Sequence, residues 1–387
     1  MRKKNENHDV KMAAAARLAA EGKDQRTIGR RLKISQSGVS RLLKEAEEDR
    51  GWLVRTLHVI QSKIPEEVRL QADKLLAPHE LERRLRDAWR STRLREIHVF
   101  DCCPDGATAS DIDACLPLFG RAAATRVREL IKPLHVIGVA WGATLANIVR
   151  GLEQVCEAGA RQNNPVEFVP LCCEPLGFAQ VAGSASLLAG QLNQIINQGR
   201  GKVHSFTGVP AFIPTDFSPQ DRATVERLLR QVESYAHIFP PRHTSPNDAP
   251  PGGYLVQQVQ LVLTSVGPPE KALGFINDGL VHNLRIERSE LQKHVVGDIC
   301  GVLIPQPGLD ADSLRRVEEW NQAWTGITLD QLRAIPSRVG DHPAGRVLVS
   351  IGINKVPIVL EAVRLDLVDE LLIDSSLAAG LASALGV

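Results

Sequence analysis

Apolar positions recur at helical spacing three times within the first fifty residues. The stretch KMAAAARLAAE (11–21) is a run of strong helix formers that stops before Gly22. QRTIGRRL (25–32) sets Ile28 and Leu32 on one face, and QSGVSRLLKEAEE (36–48) sets Val39, Leu42 and Leu43 on another, with Ser35 as N-cap. Gly51 breaks the third helix, and the WLVRTLHVI after it is apolar and β-branched enough for a strand. Residues 64–90 read as a charged helical stretch with apolar Leu81, Leu85 and Ala88–Trp89. That stripe either faces a partner or packs on its own domain.

From residue 94 the pattern changes to strands alternating with helices. LREIHVFDC, HVIGVAW, VEFVPLCC, YLVQQVQLVLTSVG, GRVLVSIGI and VDELLID read as strand. IDACLPLFGRAAATRVRELI, ATLANIVRGLEQV, SASLLAGQLNQIIN and VPIVLEAVRLDL read as helix. This alternation predicts α/β with a largely parallel sheet, whose ligands bind at the carboxyl ends of the strands. FPPRHTSPNDAPPGG (239–253) holds five prolines and is a loop by composition, a spacer or a lid inserted into the α/β region. The organisation expected is a helix-turn-helix domain over 1–60, winged by the strand after Gly51, a connecting helical segment over 61–90, and a Rossmann-like α/β domain over 91–387.

Charge sharpens the division. The whole chain carries a net +1, but residues 1–60 hold 14 Lys/Arg against 8 Asp/Glu, and the remainder 32 against 37. A basic head on an acidic body points to a polyanion-binding module joined to something else. No stretch reaches the ~18 continuous apolar residues of a membrane span, and no apolar core follows the charged start as in a secretion signal. Seven cysteines, without a C-x-x-C or a finger-spaced histidine, read as reduced thiols of a cytoplasmic protein. No metal site, cofactor or catalytic residue is predicted.

Within QRTIGRRLKISQSGVSRLL, the apolar positions fall where two crossed helices bury their contact, and Gly29 stands where they come closest. Lys33 occupies the turn position at which glycine is most comfortable. The exposed second helix suits a major groove. Arg41 can donate a bidentate pair to guanine and Gln36 to adenine, while Ser37 and Ser40 are short enough to approach bases or phosphates. Arg26, Arg30, Arg31 and Lys44 are placed to set position against the DNA backbone. The plainer alternative is a helical bundle with a solvated basic face.

In the body, HVIGVAWGATLANIV puts Gly142 and Thr144 just after a strand and at a helix start, where free backbone N–H groups suit a phosphate. The order and spacing of several segments carry more weight than that loop alone. They are AARLAAEGKDQRTIGRRLKISQSGVSRLLKEAEEDRGWL, IGVAWGATL, VVGDICGVLIPQPG, GITLDQLRAIP and IGINKVPIVLEAVRLDLVDELLIDSSLAAGL. Over about residues 10–380 the chain resembles the SorC family of sugar-binding transcriptional regulators.

That resemblance implies a head that binds double-stranded operator DNA. It also implies a body folded like ribose-phosphate isomerase and glucosamine-phosphate deaminase, a small phosphorylated sugar or related metabolite as effector, and a dimer or tetramer. It carries over Gly142 and Thr144 as the effector cradle, Asp298 as an acceptor of sugar hydroxyls and Lys355 as a point charge for phosphate. Ser186 opens the next helix where the family often has asparagine. Other departures are Cys172-Cys173 in place of paired glycines, SIGINK in the late loop, and Asp374-Ser375-Ser376 at the end. Each alters a wall that would touch ligand, so the effector can differ from the family's usual sugar phosphates. The rival readings are an isomerase- or deaminase-like enzyme using Asp298, Glu361, Lys355 and His342, and a non-catalytic interaction protein.

Overall fold

In the computed structural model the residues described are 2–52, 64–65, 68, 80–102, 109–156, 165–174, 183–206, 209–214, 216–241, 253–267 and 286–387. The strand expected after Gly51, the wing it would form, and most of the Pro-rich insertion lie outside them. So does most of the charged stretch before residue 80.

Three helices build the head: α1 (Arg2–Ala20), α2 (Gln25–Leu32) and α3 (Gln36–Glu48). They bury Met12, Leu18, Ile28, Leu32, Val39 and Leu42 together with the alanines of α1. Asp24 and Ser35 cap α2 and α3 by accepting the N–H groups of Thr27 and Gly38. Between the two helices Lys33 is left-handed, with φ 53° and ψ 47°. A Cβ on Gly29 would stand 2.8 Å from the Ile34 carbonyl oxygen, so the crossing admits only glycine there. Helix α1 begins well before the predicted residue 11. Its first turns lack an apolar period and are held by contacts with the third-helix region instead, His8 to Glu45 at 2.8 Å and Asp9 to Arg50 at 3.0 Å.

The body is organised by a six-stranded parallel sheet of β1 (Glu96–Phe100), β2 (Val136–Val139), β3 (Glu167–Pro170), β4 (Leu261–Thr264), β10 (Gly345–Ser350) and β11 (Glu370–Asp374). Its order is β1-β11-β10-β4-β2-β3. Both faces are covered, as a parallel sheet requires. Leu261, Leu263, Val347, Val349 and Leu372 face the helices Ala109–Ile131, Ala143–Val155 and Ala185–Asn197. The alternate residues Val262, Leu348, Leu371 and Ile373 face the helices Val356–Arg364 and Ser375–Leu385. A smaller antiparallel sheet, β5 (Val266–Gly267), β6 (Val295–Ile299) and β7 (Val302–Pro305), stands beside it, with a hairpin of β8 (Arg338–Val339) and β9 (His342–Pro343).

One expectation changes, and one open alternative closes. YLVQQVQ does not extend β4: Leu255–Gln258 forms a helical turn because the Gln257 side chain accepts the Tyr254 N–H at 3.1 Å. The stripe of the helix Glu80–Ala88 packs on its own domain, with Leu85 and Trp89 buried in the body core. Glu82 of that helix accepts the Val99 N–H at 2.7 Å, which satisfies a backbone donor on the edge strand β1. Among the described residues no helix is long and apolar enough to cross a membrane.

Candidate functional site

Connections leave β2 and β4 in opposite directions, β2 toward β3 and β4 toward β10, yet the two strands are hydrogen-bonded neighbours. A crevice opens at the carboxyl ends of such a pair. Gly142 stands on the β2 side of it, at the N-terminus of the helix Ala143–Val155, with φ 124° and no side-chain cap. A Cβ there would be 2.6 Å from the Ser265 hydroxyl oxygen, which comes from the β4 side. The first N–H groups of that helix are thus presented to the crevice without a capping side chain, a favourable place for an anion. Thr144 is part-exposed in the same first turn.

Two residues past Ser265, Gly267 pairs with Asp298 of β6. The Asp298 carboxylate is buried, and one oxygen accepts the Gly301 N–H at 3.2 Å. Burial pushes its pKa up to about 7 against the opposing pull of that hydrogen bond and of Lys355. Lys355 ends the 3₁₀ turn Ile353–Lys355 after β10. Burial lowers its pKa to about 8, with Asp298 acting in the other direction. Gly142, Ser265, Gly267, Asp298 and Lys355 therefore form one continuous set, joining an uncapped helix start to a buried acid and a part-buried amine. Ser350 Oγ and Asn354 Oδ1, on either side of Gly352, are buried without a hydrogen-bond partner. Buried polar atoms of this kind are normally satisfied, so they too point to a ligand.

Ser186 lies one residue inside the helix Ala185–Asn197, and its hydroxyl accepts the Phe206 N–H at 3.0 Å. Its neighbour Gly183 accepts the Gly142 N–H at 3.0 Å, so the starts of the two helices are side by side. Cys172 and Cys173 are fully buried. The Cys172 thiol reaches the Cys300 carbonyl at 3.3 Å, and Cys300 Sγ reaches Thr264 Oγ1 at 3.2 Å. Burial, then Cys300, raises the Cys172 pKa well above its ordinary value, which keeps it a thiol. Of the enzyme candidates, Asp298 and Lys355 come together. Glu361 is held by Arg364 at 2.7 Å, and His342 lies in β9, ahead of β10 at the amino end of the sheet.

On the head, Gln36, Ser37, Ser40, Arg41 and Lys44 all lie exposed on α3, opposite buried Val39, Leu42 and Ala46. Arg26 and Arg30 are exposed on α2, and Arg31 is half-buried. Ser350 and Asn354 belong to the SIGINK loop expected to wall the ligand, whereas Ser265 carries no motif signal in the sequence.

No protein-family model and no curated relative matches the chain. Solved structures do. The full-length sorbitol operon regulator SorC of Klebsiella pneumoniae is similar over 96% of this chain and 97% of its own, at 20% identity and a TM-score of 0.55. The chain has the fold of SorC and DeoR family regulators. A DeoR family transcriptional regulator of Listeria monocytogenes matches 78% of this chain and 98% of its own, at 17% identity and a TM-score of 0.53. A transcriptional regulator of Streptococcus pneumoniae TIGR4 matches 80% and 97%, at 16% identity and a TM-score of 0.53. At these identities the likeness is one of fold.

Proposed function

We propose that the chain is a DNA-binding transcriptional regulator whose operator affinity is set by a small phosphorylated sugar or related metabolite. The observation that carries this reading is the pairing, in one chain, of an exposed polar and basic α3 face with a crevice that joins an uncapped helix N-terminus to Lys355. Arg41 and Gln36 read base edges, with Ser37 and Ser40 beside them, and Arg26, Arg30, Arg31 and Lys44 set the head against phosphates. Gly142, Thr144 and Lys355 hold the metabolite's phosphate, and Asp298 and Ser186 line the sugar side. One recognition helix spans few base pairs, so the chain acts as a dimer or tetramer on a repeated site. The role is regulatory and not catalytic, because beyond Asp298 and Lys355 the candidate acid–base groups are engaged or distant.

Calorimetry against matched phosphorylated and unphosphorylated sugars tests the effector. The phosphorylated form binds more tightly, and Lys355→Ala weakens it while leaving metabolite-free DNA binding intact. Tighter binding of the unphosphorylated form, with no loss in Lys355→Ala, would falsify the phosphate assignment. On the DNA side, Arg41→Ala loses roughly 1–3 kcal/mol of specific binding per base contact and keeps the fold, since Arg41 lies outside the buried face of α3.

A further inference from the structure

The head meets the body at Asp101. Asp101 follows the last residue of β1, so it stands at the same end of the sheet as the crevice. Its Oδ2 lies 3.1 Å from Lys23 Nζ and 3.6 Å from Arg31 Nη2, and its Oδ1 accepts the Ser375 hydroxyl at 3.2 Å. The Lys23 side chain is only 10% exposed, uncommon for a lysine in a short turn between helices. Beside it Gly22 rests on Leu118, where a Cβ would be 3.3 Å from the leucine methyl. Burial works against the Asp101 carboxylate, but Lys23, Arg31 and Ser375 together hold its pKa below the usual value. Next to it, burial raises the pKa of Glu21 despite Arg17, Lys23 and Arg31. The α1–α2 turn is therefore seated in the body.

This seat touches both functions. Arg31 is one of the cations assigned above to DNA phosphates, and an arginine facing Asp101 is to that extent withdrawn from them. On the other side, Ser375 opens the C-terminal helix, whose N-cap is Asp374. Asp374 Oδ1 accepts the Gly352 N–H at 2.8 Å, and Gly352 begins the turn that carries Lys355.

We infer that Asp101 is the docking point at which the body holds its own DNA-binding head in a state of lower DNA affinity, and that the Lys355 turn reaches this dock through Asp374 and Ser375. The inference rests on the regulator reading above. A head that must leave Asp101 before it binds DNA has its apparent affinity reduced by the fraction of molecules undocked. A metabolite that moves the Gly352–Lys355 turn shifts that fraction only by binding the docked and released states differently.

The test uses the full chain without metabolite, and a duplex that the wild type selects from a random-sequence pool. Asp101→Asn keeps the shape of the side chain and removes its charge. It should raise amide hydrogen exchange across Glu21–Asp24 and tighten binding of the selected duplex about three- to tenfold. Ser375→Ala should move both readouts in the same direction by less, and unchanged exchange in β10 and β11 shows that the body is folded. Wild-type exchange across Glu21–Asp24 in Asp101→Asn, or DNA binding equal to or weaker than wild type, overturns the dock. If that happens while Arg41→Ala still loses the duplex, the regulator reading stands. A wild type that selects no duplex removes the regulator reading and the dock together.

Discussion

Asp298 and Lys355 are pushed toward neutrality by the same enclosure, and this gives stability an unusual pH profile. Asp298 has its pKa raised from 3.8 to about 7, so between those values the folded chain keeps a proton that the unfolded chain releases. Stability therefore falls as pH rises through that window, with a slope approaching about 1.4 kcal/mol per pH unit. Lys355 has its pKa lowered from 10.5 to about 8, so the unfolded chain holds the extra proton between those values and stability climbs again above pH 8. Urea unfolding across pH 4 to 10 should show the minimum between about 7 and 8. Asp298→Asn should flatten the acid side alone, and a wild type whose stability rises from pH 4 to 7 would refute the burial of this carboxyl. Both residues were legible because they sit in segments with a recognisable order. Ser350 and Asn354 were marked only as members of the SIGINK loop, and Ser265 not at all, because a lone serine has no periodicity and only the sheet order brings β4 and β10 to one crevice.

At the scale of elements, the α2–α3 turn was readable down to its strain. Lys33 was expected where glycine is comfortable, and it adopts the left-handed conformation. A residue with a Cβ gives up about 1–2 kcal/mol there, part of which glycine returns through its greater freedom when unfolded. Lys33→Gly should therefore stabilise the head by roughly 1 kcal/mol or less, seen as slower exchange of the Ile34 amide that bonds Gly29. Faster exchange would mean that the lysine side chain supplies something the backbone argument omits. The helix Ala143–Val155 was likewise legible to the residue, since its apolar period is unbroken. The first turns of α1 were not, because they are fixed by side-chain contacts with residues some forty positions away. The seat of Lys23 on Asp101 escaped for the same reason: a single acid after a strand carries no sign of the helix turn that will lie on it.

Across the whole molecule, the two ends of the parallel sheet divide the work. The carboxyl end carries the crevice and the seat for the head, with buried, part-buried and unpartnered polar groups. The amino end carries a buried ion-pair network. Arg346, at the start of β10, donates to Asp369 at 2.7 Å, and Ser337 donates to the other oxygen at 2.6 Å while accepting from Arg93 at 2.6 Å. Arg346 and Asp369 are both essentially inaccessible to water. A buried pair of this kind adds little over an apolar substitute, but removing one partner strands the other charge. Asp369→Ala should therefore lose about 3–5 kcal/mol in urea unfolding. Adding Arg346→Met should recover most of it, since Arg93 is exposed enough to turn to solvent. Because the network lies a full strand length from Asp298 and Lys355, the folded Asp369→Ala chain should bind metabolite and DNA as the wild type does. A loss of binding in that variant at a temperature where it remains folded would show that the two ends are not independent, and that the sheet itself transmits between them.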